Sequence, residues 1–262
     1  MSSVLESSAA APGLRTEELL VVWQDPESRR FVPIGRLARA GDQYEFSYTK
    51  AAGAADLRPL PGLRLDQRYR GPLPPVFMQR VMGDGRPDFE QYVRRLGLSR
   101  AEATPWEQIV RSAGHRAGDT LQFIPLPRVD NGRALARFLV NGVRHIPDYR
   151  GGSRRVTAEQ HRRALDSLTR GSALVVQADD NPHDPDACLV THDEIPIGWV
   201  PRILSRDLRE LGRHGTVHVG VIRVGDPDGP AHLRLAVELN TAAPPGFRFD
   251  PDGQWEPLVP SA

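Results

Sequence analysis

The side chains best suited to gripping a ligand lie between Asn181 and Arg202. Asn181-Pro182-His183-Asp184-Pro185-Asp186-Ala187 sets an amide, an imidazole and a carboxylate on one short polar segment. Asn181 can close an Asx-turn, Pro182 presets φ near its turn value, and Asp184 offers a second cap before an apolar strand begins at Cys188. A second apolar run, Ile197-Gly198-Trp199-Val200-Pro201-Arg202, follows at close spacing. Its indole suits stacking on a nucleic-acid base and its guanidinium suits a phosphate contact, while Asn181 can donate to either. The pattern reads as a binding loop between two short strands.

Other chemistries find little support. His183, Cys188 and His192 lack the paired short spacings of a zinc site, and strand alternation turns some of them apart. No glycine-rich phosphate loop, G-x-S-x-G elbow or H-E-x-x-H helix is present. Cys188, the single cysteine, sits in an apolar strand as a small buried residue and has no partner for an internal disulfide, which suits a reducing cytoplasm. The expectation is a non-enzymatic cytoplasmic protein with no metal or cofactor and no membrane partner. The longest apolar runs, such as Leu19 to Trp23, fall far short of a membrane span.

The 262 residues carry a net charge of only +1, so any nucleic-acid surface must be local. Of the 34 basic side chains Lys50 alone is lysine. Arginine suits bidentate phosphate contacts, but coding DNA rich in G and C raises arginine everywhere, so this bias carries little weight. Placement is more telling. Between Arg144 and Arg170 stand seven arginines against Asp148, Glu159 and Asp166, whereas Gln177 to Glu194 holds six acids and no Lys or Arg. Arg150, Arg154, Arg155, Arg162 and Arg163 would follow a phosphate backbone, with steeply salt-dependent binding. The alternative is a solvated helix face.

These residues need a frame, and the sequence implies an α+β chain in two parts. Residues 1–16 read as a disordered arm, 17–126 as a small strand-plus-helix domain, 127–134 as a linker, 135–241 as a small β-barrel and 242–262 as a loose tail. Glu18 onward reads as a three-strand meander: Leu19 to Trp23, Phe31 to Leu37 and Tyr44 to Tyr48, with turns at Asp25-Pro26 and Gly41-Asp42. Two helices follow proline-rich loops. One spans about Asp88 to Leu96; the other opens on the capping box Thr104-Pro105-Trp106-Glu107 and stops at Gly114. The second part opens with the strand Ala136 to Val140 and a helix from Thr157, capped by Thr157-Ala-Glu-Gln160. The strand Ala173 to Gln177, the Asn181 loop, the strands to Val200, a helix from Ile203 to Leu211 and a hairpin over 217–224 and 233–239 complete it.

From about Arg137 to Leu239 this pattern resembles the HIRAN domain, whose signature is N-P-aromatic-D-x-[ND]-A, a strand, then I-G-aromatic-[VL]-P. The resemblance implies an OB-like barrel that grips a free single-stranded 3′ DNA end. The family's basic-aromatic pair falls on Arg144-His145, its loop on Asn181, His183 and Asp184, and its basic residue after the I-G strand on Arg202. His145 and His183 stand where the family favours larger aromatic rings, which shrinks the stacking area. Asp184 would accept a hydrogen bond from a 3′-hydroxyl and repel a phosphate there. Arg154 and Arg155 extend the basic surface, and Trp199 serves as a base platform. Each has a plainer reading: Asn181 and Asp184 capping their own turn, Trp199 in the core, Arg202 solvated at a helix start.

Leu19 to Phe123 resembles the small N-terminal subdomain of HipA-type kinases, on Ile34-Gly35-Arg36-Leu37, Tyr44-Glu45-Phe46-Ser47-Tyr48, Pro74-Pro75-Val76-Phe77 and Gly114-His115-Arg116-Ala117-Gly118. No nucleotide-binding set follows, so kinase activity is not implied. The functional expectation is a binder of single-stranded DNA or 3′ DNA ends in DNA repair or genome maintenance, with another protein engaged through the N-terminal domain. The competing expectation is a protein adaptor related to HipA-type toxin-antitoxin modules that binds no DNA.

Overall fold

The computed structural model describes residues 18–55, 57–116, 118, 120–149, 155–181 and 184–260. The arm at 1–16, Arg150, Arg154, Pro182 and His183 lie outside them. The fold is mixed α+β, with two antiparallel sheets and several helices.

The first sheet has the order β4-β3-β2-β1-β5, from β1 (Glu18–Gln24), β2 (Phe31–Ala40), β3 (Gln43–Tyr48), β4 (Tyr69–Gly71) and β5 (Leu121–Pro125). The expected meander is β1 to β3. Strand β5, which no sequence pattern announced, lies antiparallel beside β1. Helices α1 (Lys50–Ala54), α2 (Pro75–Met78), α3 (Phe89–Arg95) and α4 (Pro105–Ser112) follow the meander. Thr49 and Thr104 each cap a helix by accepting a main-chain N–H, which satisfies a donor left open at the first turn. Helix α4 stops where Ala113 adopts φ 54°, one residue before the glycine expected to end it.

The second sheet has the order β10-β9-β8-β11-β12-β7-β6, from β6 (Arg128–Asp130), β7 (Arg133–Leu139), β8 (Ala173–Ala178), β9 (Cys188–His192), β10 (Ile195–Trp199), β11 (Val217–Val224) and β12 (Leu235–Ala242). Residues 127–134 are therefore no linker: they form most of the β6–β7 hairpin, and Ala134 is fully buried. A 3-10 helix, Val143–Asp148, follows β7. Helix α5 (Ala158–Asp166) carries the expected capping box between Thr157 and Gln160, and α6 (Arg202–Gly212) follows β10. The sheet does not close into a continuous barrel. Its two sides meet at one bridge, where Asn141 and Trp199 exchange main-chain hydrogen bonds of 2.8 Å.

The two sheets share buried residues. Leu19 and Val21 of β1 enter the core of the first sheet with Phe46, Phe77 and Trp106, while Leu20 and Val22 enter the core of the second with Val140, Ile197 and Leu239. A third cluster joins Phe89, Val93 and Leu96 around α3 to Leu233 before β12. Beside it Arg223 of β11 donates to the carbonyls of Arg95, at 2.5 Å, and Arg111, at 3.2 Å. Those carbonyls lie at the ends of α3 and α4, where unpaired C=O groups favour a cation. Burial and the nearby Arg111 charge push the Arg223 guanidinium down to about 10.

The expected loose tail is instead packed. Phe247, Phe249 and Trp255 join the core of the second sheet. Lys50 and Ala51 donate to the carbonyls of Glu256 and Gln254, and Leu258 donates to that of Tyr48. The main chain of Asp250 donates to buried Asp207 on α6 at 3.2 Å.

Replacing Arg223 with Ala leaves two helix ends without a donor and should cost about 2–3 kcal/mol, measured by urea unfolding. Burial pushes the Asp207 carboxyl up to about 6. A carboxyl raised in the folded state favours folding below its unfolded value and loses that contribution as pH rises through about 6. Stability should fall from pH 4 to 7 through this group, and Asp207→Asn should flatten that slope in pH-dependent thermal melts.

Candidate nucleic-acid interface

Four chain segments meet at Trp199: the end of β7, the 3-10 helix after it, the loop after β8 and the end of β10. Trp199 is half-buried. Its Nε1 donates to Asp179 Oδ2 at 2.9 Å, and the Tyr149 hydroxyl donates to Asp179 Oδ1. The two rings meet edge to face at 5.0 Å. Asp179 is 4% exposed, so both carboxylate oxygens are held by ring donors away from water. Burial and the Asp179 charge raise the Tyr149 hydroxyl above its ordinary value. On its far side the indole lies against Gly142, where a Cβ would come within 2.6 Å of the ring and where φ is 65°. Trp199 is thus neither free nor in the core: it is clamped from one side by hydrogen bonds and from the other by a glycine.

Asp184 does cap its turn, since Oδ1 accepts the Asp186 N–H at 3.2 Å, and its main chain pairs with Asn181. The other oxygen accepts from Arg202 Nε at 2.7 Å. The Asp184 side chain is 18% exposed and that of Arg202 38%, so the pair is reachable from solvent. Arg202 stands at the first position of α6, and the pair joins the loop to that helix. The sequence reading weighed each of the two by itself and did not pair them.

Arg144 and His145 are exposed on the 3-10 helix, and Arg144 Nε donates to His145 Nε2 at 3.1 Å. Arg155 is exposed ahead of α5. The basic track along α5 is weaker than its sequence suggests: Arg162 pairs with Glu159 and Asp166, and Arg163 with Glu159. Those two arginines hold the Glu159 carboxyl below its usual range.

Cys188 on β9 is 1% exposed, and burial pushes its thiol up to about 12, far from the thiolate that a nucleophile needs. Buried His161 on α5 has Nε2 3.1 Å from the Ile197 carbonyl, and burial lowers it below its ordinary value. Among the described residues no group of three or more His, Cys, Asp or Glu could hold a metal ion, and no helix is long and apolar enough to cross a membrane. Asp179 and Tyr149 are the site residues the sequence reading missed. The signal for Asp179 was an acid directly after an apolar strand.

No protein-family model, curated protein or solved structure matches this chain.

Gly142→Ala should displace the indole and destabilise the protein by about 1–3 kcal/mol in thermal or urea unfolding. Tyr149→Phe should leave the fold intact and cost about 1 kcal/mol, since it removes one hydrogen bond without adding volume.

Proposed function

We propose that this protein binds single-stranded DNA, with preference for a free 3′ end, through the face around Trp199, in DNA repair or genome maintenance. The second sheet, with its Asn141–Trp199 bridge, is read here as a partly open OB-like barrel of the HIRAN type, a fold that carries single strands across its face.

The observation that supports this most is the 2.7 Å contact of Asp184 with Arg202. A carboxylate accepts a hydroxyl proton and repels a phosphate; a guanidinium beside it attracts one. Side by side, they favour a terminal nucleotide, whose 3′-hydroxyl meets Asp184 while its 5′ phosphate meets Arg202. Arg144 adds a further phosphate contact, and Asn181, His145 and the exposed part of Trp199 border the base. The small rings of His145 and His183 reduce stacking below the roughly 1–3 kcal/mol per base of larger aromatics.

Fluorescence anisotropy with short labelled strands, ending in a free or a blocked 3′-hydroxyl, tests this. Free ends should bind more tightly, Arg144→Ala should weaken both, and Asp184→Ala should erase the preference without abolishing binding, because it releases Arg202. Equal affinity for the two ends in the native protein would remove the end-binding reading. No binding at low salt would remove DNA altogether and leave the adaptor.

A further inference from the structure

A cleft of about 890 Å³ opens between the two sheets. Its walls come from the β2–β3 turn, α4 and β5 on one side, and from β7, β11 and β12 on the other. Five arginines line it, Arg39, Arg111, Arg137, Arg170 and Arg223, against two acids, Glu107 and Glu238. Both acids are already engaged, Glu238 by Arg137 and Glu107 by Arg111 at 3.5 Å. Arg39, Arg170 and Arg223 make no ion pair with any described residue. Arg39 donates to the Gly41 carbonyl at 3.0 Å, and Arg170 is exposed. Arg223 spends its terminal nitrogens on main-chain carbonyls, so its charge is held in place without a counter-ion.

We propose that this cleft is an anion site for the phosphate groups of a small phosphorylated ligand of nucleotide size. Like-signed charges held around one concavity raise the local potential and draw an anion in. Arginine then offers paired N–H donors that match phosphate oxygens. The volume lies in the range of small-molecule sites. Exposed Arg39, at the end of β2, and exposed Arg170, in the segment before β8, make the contacts, and Arg223 supplies a fixed positive field. The cleft reaches Asn141 and Pro201, next to the face around Trp199, but shares neither Arg144 nor Asp184 with the DNA reading above, so variants at those residues tell the two apart.

Isothermal titration calorimetry of the full chain at low salt, with inorganic pyrophosphate and with a nucleoside triphosphate, tests the proposal. Saturable binding should appear for both probes. The double variant Arg39→Glu with Arg170→Glu should weaken it at least about tenfold, whereas Arg144→Ala should leave it unchanged. Both replaced side chains point away from the cores, so an unchanged melting temperature will verify the fold. A short single strand added as competitor separates the sources of phosphate: displacement of the triphosphate, lost in the same double variant, would make a nucleic-acid strand the source, with the phosphate chemistry upheld. Absence of saturable binding, or binding indifferent to the double variant or dependent on Arg144, would overturn the site.

Discussion

Four consecutive apolar side chains, Leu19 to Val22, are each at most 1% exposed. A strand sends alternate side chains to opposite faces, so this run must be covered twice. The first sheet's helices cover one face and the second sheet covers the other. Other contacts join the halves around it: β5 runs beside β1 and leads directly into the β6–β7 hairpin, α3 packs on Leu233, and Arg223 reaches the ends of two helices. The two halves have different topologies but are not separable units, because one strand belongs to both cores.

Much of the frame was legible because it is written locally. Thr104-Pro105 and Thr157 to Gln160 announce helix starts through hydrogen bonds within four residues, and Leu19 to Tyr48 announces strands by apolar runs between turn residues. What escaped depends on distant partners. Leu121 to Pro125 becomes a strand because β1 offers an edge, and the proline-containing residues near 127 join a hairpin because β7 is beside them. Trp255 lies in a polar, proline-containing segment, and its burial is decided by α6 and the second sheet rather than by its neighbours in sequence.

The candidate site divides in the same way. Asn181 to Ala187 is legible as a turn because its hydrogen bonds are local. The Asp184–Arg202 pair spans 18 residues and the Asp179–Trp199 bond 20; neither follows from spacing, because both depend on how β9 and β10 fold back on the loop. The pairings alter the chemistry as well. A carboxylate accepts from a hydroxyl and repels a phosphate, and one paired with a guanidinium sets a phosphate-attracting group beside it. An indole fixed through Asp179 and Gly142 has little rotamer freedom left to lose when something stacks on it, which lowers the entropic cost of contact.

The strap formed by residues 254–258 has a consequence for synthesis. It hydrogen-bonds residues 48–51, about two hundred positions earlier in the chain. During translation β1 leaves the ribosome long before the strap and long before the second sheet that covers Leu20 and Val22 is complete. Until then the nascent chain carries an uncovered apolar strand, the kind of surface that chaperones bind. The contacts that complete the first sheet's surroundings therefore depend on residues made about two hundred positions later.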